Sequence, residues 1–132
     1  MKTRDIKQVL RFQAPIKEIY EMLMDEKKHS ELTGSKAIIS EKVDGEFSLY
    51  DGSITGKNLQ LVKNKKIVQE WRYDFPDWPE DYFSIVTFTF KDDNGNTKLY
   101  FSHEDIPAQF VDDIEDGWHQ YYWKPMKKIL KI

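Results

Sequence analysis

The side chains best suited to chemistry in this chain are three histidines, His29, His103 and His119. Imidazole groups act as metal ligands or general bases when a second histidine or a carboxylate stands at a suitable spacing. These three lie far apart, in three different predicted elements, and no His-x-x-x-His pattern joins any two of them. We therefore expect satisfied or exposed histidines, with no metal site and no cofactor.

Two carboxylates, Glu70 and Glu104, lie in predicted strands and are candidates for proton uptake inside a cavity. We favour an exposed position at the rim for both. The chain has no cysteine, which excludes thiol catalysis, and it has no serine-nucleophile motif or phosphate-binding glycine loop. A turn and a bulge account for Gly52 and Gly56. We therefore expect no catalytic residues and no enzyme activity.

Aromatic side chains are most concentrated in DGWHQYYWKPM, Asp116 to Met126, which holds four large rings within six residues. Such rings form a core stripe, the wall of a pocket, or an adhesive surface for a partner. Strand alternation places Trp71 on the face opposite to Glu70 and Arg72, and therefore in the core. A cavity in this core would be bordered by Trp71, Trp118, Tyr121, Tyr122 and Met126.

The segment DFPDWPEDYF, Asp74 to Phe83, combines aromatic rings with four acids and two prolines. One interpretation is a rigid loop whose rings pack on the end of the sheet. The other is an interaction surface, because prolines reduce the ordering cost and aromatic rings supply buried area on binding. On the second interpretation the partner-binding residues are Arg72, Phe75, Trp78 and Glu80.

The composition limits the classes of partner. With a net charge of −3 the chain has no clustered basic surface of the kind that nucleic acids require, and Lys63–Lys66 is explained by a solvated turn. No apolar run approaches the length of a membrane span, and the N-terminus lacks the apolar core of a secretory signal. We expect a cytoplasmic protein that binds neither nucleic acid nor membrane.

The elements that position these residues begin with a strand, Ile6–Gln13, and a helix that opens at Pro15. A second short helix covers Asp25–Leu32 and is closed by Gly34. The middle of the chain then reads as a run of antiparallel strands joined by short loops, and the Asn94-Gly95 pair is a strong hairpin signal. The apolar face of the first helix comprises Ile16, Ile19, Tyr20 and Leu23.

A helix of about 25 residues, roughly 37 Å long, is predicted to start at Pro107. Acids in its first half and lysines in its second half complement the helix dipole. Pro125 cannot donate to the carbonyl of Tyr121, so we expect a bend there and a partly exposed Trp123. One face comprises Val111, Ile114, Trp118, Tyr122 and Ile129, and the opposite face Gln120, Lys124, Lys127 and Lys131.

This order of elements predicts an α+β fold, in which a curved antiparallel sheet of six to seven strands wraps around a long C-terminal helix. One or two short helices follow the first strand. Residues 1–132 are expected to form a single domain, because a chain of this length buries one core.

Several stretches in this order resemble the family named for the activator of heat-shock protein 90 ATPase, within the START-like (SRPBCC) helix-grip superfamily. They are VDGEFSLYDGSITGKNLQL, IVQEWRYDFPDWPEDYFSIVTFTF, NGNTKLYFSHEDIP and DGWHQYYW. The first resembles the glycine-turn strand pair of the family, and the second its Trp-Arg strand and Trp-Pro-Glu loop. The third and fourth resemble its last hairpin and Gly-Trp helix. Together the matching stretches cover nearly the whole chain.

The resemblance implies a non-enzymatic interaction module like the C-terminal domain of the co-chaperone, with a heat-shock protein 90 chaperone as partner. We expect no counterpart of the separate N-terminal domain of those relatives, and therefore weak stimulation of the chaperone. The wider superfamily implies the alternative, a binder of a small hydrophobic ligand between sheet and helix. A filled core would favour the first function, and an open apolar pocket of several hundred Å³ the second.

Overall fold

The computed structural model describes residues 1–130, which form a seven-stranded sheet, two short helices and a long C-terminal helical segment. The predicted α+β helix-grip arrangement is confirmed. The strands are β1 Thr3–Phe12, β2 Ile38–Ile39, β3 Glu46–Leu49, β4 Ile54–Val62, β5 Lys66–Tyr73, β6 Ser84–Asp93 and β7 Asn96–Pro107. The helices are α1 Ile16–Met24, α2 Glu26–Thr33, α3 Val111–Trp118 and α4 Lys124–Leu130. Within residues 1–130 no helix has both the length and the apolar character to cross a bilayer.

All neighbouring strands are antiparallel, in the order β1-β7-β6-β5-β4-β3-β2. The β6–β7 connection is a two-residue hairpin in which Asp93 pairs with Asn96. Asn94 and Gly95 between them have φ angles of 55° and 89°, as a type I′ turn requires. The hairpin predicted from Asn94-Gly95 is therefore confirmed.

The two short helices also follow their sequence signals. α1 buries Ile19, Tyr20 and Leu23 on one face. α2 begins after Asp25, whose carboxylate accepts a hydrogen bond from the backbone N–H of Lys28 at 2.9 Å. It ends at Gly34, whose φ of 74° is the left-handed conformation that glycine adopts without strain.

The C-terminal helical segment changes its winding just before Pro125. Residues His119–Trp123 form a π-helical turn between α3 and α4, and the backbone N–H of Lys124 bonds to the carbonyl of His119 five residues back. Pro125 has no N–H to offer the carbonyl of Tyr121, so an ordinary α-helical ladder cannot run through this position. The helix is irregular here in the form of a wide turn, which holds one extra residue, and the bend expected at Pro125 stays a prediction.

The extra residue rotates every later side chain around the helix axis, and it overturns two predictions. Trp123 is buried, with only 3% of its surface exposed, whereas Ile129 is 50% exposed. The inward face continues instead through Met126 and the partly buried Leu130. The predicted outward position of Lys131 lies outside the described residues. The start of the helix also differs, because Pro107 ends β7 and a 3-10 turn precedes α3.

The interpretation of Gly56 as a bulge residue is wrong. The register of β4 against β5 shifts between Asn58 and Gln60, not at Gly56. A Cβ atom at Gly56 would instead overlap the backbone carbonyl of Glu70 and the ring of Phe47. This position therefore requires glycine because the backbone of β5 and the ring of Phe47 approach it closely.

The π-helical turn predicts that truncation of Trp123 is as damaging as truncation of Trp118. Each ring is buried, and the indole N–H of Trp123 bonds to Gln8 Oε1 at 2.9 Å. Trp118→Ala and Trp123→Ala should each lower the free energy of unfolding by about 3–5 kcal/mol. Tyr121→Ala is the control, because Tyr121 is 55% exposed and should cost less than about 1 kcal/mol. Denaturant unfolding measures all three variants. A small loss of stability in Trp123→Ala, close to that of Tyr121→Ala, would contradict the inward rotation of Trp123.

Candidate functional site

Two indole rings form the centre of the interface between sheet and helix. Trp71 on β5 and Trp118 on α3 have ring centroids 4.9 Å apart, and each is only 2% exposed. The N–H of Trp71 donates to Gln69 Oε1, and that of Trp118 donates to His103 Nδ1, both at 2.9 Å. The predicted core positions of both tryptophans are confirmed, with a polar partner for each N–H group.

The hydrogen bonds of His103 determine which of its nitrogens carries the proton. An indole N–H only donates, so Nδ1 of His103 is the acceptor and the proton resides on Nε2. Nε2 therefore donates to Ser84 Oγ at 2.7 Å, and Ser84 Oγ in turn lies 3.3 Å from the carbonyl of Trp71. Burial lowers the pKa of His103 to about 3, so the ring is neutral. A histidine nitrogen that donates its proton to a serine oxygen cannot accept the proton of that serine, so this pair is structural.

His29 is also a buried neutral histidine. Its Nδ1 donates to the carbonyl of Leu23 at 3.1 Å, and its Nε2 accepts from the hydroxyl of Tyr122 at 2.9 Å. Burial lowers the pKa of His29 to about 4, against the opposing effect of the bond to Leu23. His119 is exposed on the π-helical turn. The expectation of satisfied or exposed histidines is confirmed for all three.

A second network of buried polar side chains was not predicted from the sequence. Gln69 Nε2 donates to Asn58 Oδ1 at 3.0 Å, and Asn58 Nδ2 donates to the carbonyls of Ser40 and Lys42 at 2.7 and 3.0 Å. This hydrogen-bond network fixes Gln69 as the acceptor for Trp71 and holds the β2–β3 connection against β4. The sequence signal was the placement of Gln69 on the same strand face as Trp71.

A cavity of about 470 Å³ opens to solvent beside the two indoles, between the C-terminal helix and the ends of β3, β4 and β5. Seven of its 15 lining residues are aromatic. The residues are Thr33, Ser35, Tyr50, Ser53, Ile54, Trp71, Tyr73, Asp74, Phe75, Asp113, Ile114, Gly117, Trp118, Tyr121 and Tyr122. The structure thus has the open pocket of several hundred Å³ that distinguishes the ligand-binding alternative.

Four of the five proposed cavity residues lie on this wall: Trp71, Trp118, Tyr121 and Tyr122. Met126 does not, and its inclusion is wrong. The residue is completely buried beyond the π-helical turn, where it fills the core between the helix and the rest of the fold.

Three aromatic residues of the wall were not predicted as cavity residues: Tyr50, Tyr73 and Phe75. Tyr73 follows Trp71 by two residues, so it lies on the same face of β5, and this alternation could have identified it. The interaction-surface interpretation of the Asp74–Phe83 segment places Phe75 against a partner. Its ring instead lies 5.1 Å from the ring of Tyr73 and 5.0 Å from that of Phe110.

Tyr50 joins the β3–β4 turn to the C-terminal helix. It has a φ of 52°, and its ring meets that of Tyr121 edge-on at 5.6 Å. Its hydroxyl oxygen is buried and has no hydrogen-bond partner among residues 1–130. Burial raises the pKa of Tyr50, and it raises that of Tyr73 as well, so both phenols are neutral.

The segment Asp74–Phe83 packs its largest ring inward. Trp78 is only 5% exposed; its N–H donates to the carbonyl of Tyr82 at 2.9 Å, and its ring stacks 5.7 Å from that of Phe110. The expectation that Trp78 presents an accessible ring to a partner is therefore wrong. The packing interpretation of the loop holds for this residue, because the segment folds back on the sheet end and on the start of the helix.

The solvent side of this loop is acidic instead of aromatic. Arg72 reaches back to the carbonyl of Pro79 at 3.3 Å and so holds the loop on β5, while Glu80 is exposed. The other exposed acids of the loop are Asp74, Asp77 and Asp81. A partner that approaches here meets four carboxylates on a rigid support.

The two strand carboxylates do not reach the cavity. Glu70 and Glu104 are both partly exposed, and Glu70 lies 4.0 Å from Lys57 Nζ on the neighbouring strand. Within residues 1–130, no group of three or more histidine, aspartate or glutamate side chains is arranged to hold a metal ion.

Residues 13–131 match the family described as "Activator of Hsp90 ATPase homolog 1-like protein". The chain belongs to this family. It is 33% identical over 111 residues, 84% of its length, to the human "Activator of 90 kDa heat shock protein ATPase homolog 1". That match spans 32% of the human relative, so the chain corresponds to about a third of it.

Solved structures of family members share the fold. An HSP90 activator from Plasmodium falciparum superimposes with a TM-score of 0.88 at 29% identity, over 96% of both chains. An Aha1 dimer from Colwellia psychrerythraea, at 16% identity, gives a TM-score of 0.82 over 98% of this chain and 97% of that one. The resemblance found in the sequence motifs is confirmed.

The two buried histidines predict a loss of stability in mild acid. Their pKa values in the folded chain are about 4 and about 3, below the ordinary value near 6.5 that they regain on unfolding. Below pH ~6.5 the two histidines take up protons in the unfolded state, whereas in the folded state they stay unprotonated until the pH nears their lowered pKa values. The free energy of unfolding should therefore fall by about 2 kcal/mol per histidine between pH ~7 and pH ~5.

Denaturant unfolding at the two pH values measures this loss, and His29→Gln should remove about half of it. His119→Gln is the matched control, because His119 is exposed and should leave the pH dependence unchanged. Equal stability at both pH values in the unmodified protein would show that the two rings are not held neutral.

Proposed function

We propose that this protein is a non-enzymatic, co-chaperone-like interaction module whose partner is a chaperone of the heat-shock protein 90 family. The observation that carries the proposal is the match over 96% of the chain, at 29% identity, to an HSP90 activator. The curated relatives that share the sequence are named as activators of the same ATPase. A single domain over residues 1–132 and a cytoplasmic location belong to this proposal.

The side-chain chemistry supports a non-enzymatic role. Ser84 and His103 form a serine–histidine pair with the wrong direction of proton donation for a nucleophile and its base. Burial raises the pKa of Tyr50 and of Tyr73 in the cavity, so these two phenols do not act as bases at neutral pH. Binding, not bond rearrangement, is the use to which these groups are suited.

The proposed contact surface is the outer side of the Asp74–Phe83 loop. Of the four residues expected to bind a partner, Arg72, Phe75 and Trp78 hold the loop on the domain, and Glu80 is exposed. The partner should therefore present a basic surface to the exposed acids. Charge pairing of this kind accelerates association and selects the partner more than it adds affinity.

This surface predicts different outcomes for Glu80 and Trp78. A triple reversal, Asp77→Lys, Glu80→Lys and Asp81→Lys, should weaken binding to the chaperone at least about tenfold, with little change in melting temperature. Trp78→Ala should instead lower the free energy of unfolding by about 3 kcal/mol or more, as a buried ring does. Isothermal calorimetry and thermal unfolding measure the two effects.

Asp92→Lys is the matched control for charge. Asp92 is exposed at the far end of β6, about 30 Å along the strand from the loop at 3.3 Å per residue. It should leave chaperone binding unchanged at moderate salt. If the control weakened binding as much as the triple reversal, the acidic loop would not be the contact surface.

The chaperone role itself is tested by the ATPase rate. The domain assayed alone should stimulate the chaperone weakly, because one contact lacks the effective concentration that two linked contacts supply. The proposal would be overturned if the domain at high micromolar concentration neither stimulated the ATPase nor bound the chaperone.

We propose as a second function the binding of a small apolar ligand, which the open cavity of about 470 Å³ favours. Gly117 lies on the wall, and a Cβ atom there would meet only the ring of Tyr121, at 3.8 Å. Gly117 is thus the α3 residue of this wall that has no side chain, and the helix surface over the cavity is open there.

Gly117 provides the test of this second function. Gly117→Ala should fold normally and gain up to about 1 kcal/mol of stability from helix propensity. Gly117→Leu should fill the mouth of the cavity and abolish uptake of the neutral dye N-phenylnaphthylamine, as followed by its fluorescence. Uptake that persists in a folded Gly117→Leu variant would show that the dye binds elsewhere.

A further inference from the structure

The composition of the cavity wall is unusual in its charge as well as in its rings. Of the 15 lining residues, seven are aromatic, two are aspartates and none is lysine, arginine or histidine. The whole chain has 20 lysines and arginines among 132 residues. The wall therefore combines electron-rich ring faces with negative charge and offers no positive group to an anion.

The two aspartates come from different elements of the wall. Asp74 follows β5, and its backbone N–H bonds to the carbonyl of Ser53 at 3.0 Å, while Asp113 lies in the first turn of α3. Neither takes part in any of the ion pairs formed among residues 1–130. Both side chains are exposed and line the cavity, where an entering ligand can reach them.

Four aromatic rings of the wall form two contacting pairs. The rings of Tyr50 and Tyr121 meet edge-on at 5.6 Å, and the ring of Phe75 stacks at 5.1 Å on that of Tyr73. A cation within about 6 Å of such ring faces is attracted by their quadrupoles, most strongly when it is shielded from water. Quaternary ammonium groups are recognised in aromatic cages for this reason.

Hydroxyl groups are what this wall would offer an anion, because they can donate hydrogen bonds; they belong to its four tyrosines and to Thr33, Ser35 and Ser53. The proton of Tyr122 is already committed to His29 Nε2, at 2.9 Å. An anion bound beside the other hydroxyls would be repelled by the two aspartates and would have no lysine, arginine or histidine of the wall as a partner. Burying a charge without such a partner is costly, so the wall favours a cation.

We propose that the cavity binds small organic cations, an alkylammonium group carried on an apolar body, in preference to apolar anions of the same size. This inference rests on the second proposed function, that the cavity takes an apolar ligand. The apolar body lies against Trp71 and Trp118. The cationic head lies at the mouth, between Asp74 and Asp113 and against the ring of Tyr121.

Three probes with the same apolar chain and different charges test this inference. Octyltrimethylammonium, octanol and octanoate are titrated into the protein by calorimetry at neutral pH, below the concentrations at which they aggregate. The cation should bind about tenfold more tightly than octanol, a factor typical of a partly desolvated cation–π site. Octanoate should bind at least about tenfold more weakly than octanol, because two unpaired carboxylates oppose it.

Neutralised variants show whether the carboxylates cause the preference. In the double variant Asp74→Asn, Asp113→Asn, the affinity for the cation should fall about tenfold or more, while the affinity for octanol stays within about twofold. Asp112→Asn is the matched control, since Asp112 is exposed in the same turn of α3 and does not line the cavity. It should leave all three affinities unchanged.

The outcomes separate this inference from the function on which it rests. Equal binding of the three probes, or tightest binding of octanoate, would overturn the cation preference and leave the ligand-binding function standing. Failure of all three to bind would overturn both. Tighter binding of the cation that is lost in the double variant and kept in Asp112→Asn establishes the inference.

Discussion

The contact between Trp71 and Trp118 is the constraint on which the rest of the core depends. Two indoles buried against each other, with their planes tilted by 36°, bring two N–H groups out of water, and each must find an acceptor. The acceptors, Gln69 and His103, are polar side chains that need partners of their own, and Asn58 and Ser84 supply them. A single aromatic contact thus accounts for polar residues on four strands, β4 to β7, which a core of aliphatic side chains would not contain.

The π-helical turn then decides which rings close the core and which border the cavity. An α-helix cannot bury Tyr122 and Trp123 side by side together with Trp118, because successive residues are 100° apart. The wider turn brings both rings inward and leaves Tyr121 outside, at the mouth. Since Gly117 contributes no side chain one turn earlier, the helix face between them stays open. The cavity is therefore a consequence of how the helix accommodates Pro125.

The sequence predicted the parts of this structure that local patterns determine. Strand alternation identified Trp71 as a core residue, and Asn94-Gly95 identified the β6–β7 hairpin. The predictions for Trp123 and Met126 failed because a 3.6-residue period was extended through a turn with a different period. The burial of Trp78 depends on Phe110, more than thirty positions away, which no local pattern reports. Four rings within six residues, followed by a proline, were the available sign of irregular winding.

The two proposed functions share residues, and this has a thermodynamic consequence. Phe75 forms part of the cavity wall, and its ring also contacts Phe110, against which Trp78 holds the acidic loop. Asp74 lies at both the mouth of the cavity and the start of the loop. A ligand that shifts Phe75 or neutralises Asp74 therefore alters the surface offered to a partner. Where both bind, each must change the affinity of the other by the same factor, so ligand occupancy would regulate partner binding without any enzymatic step.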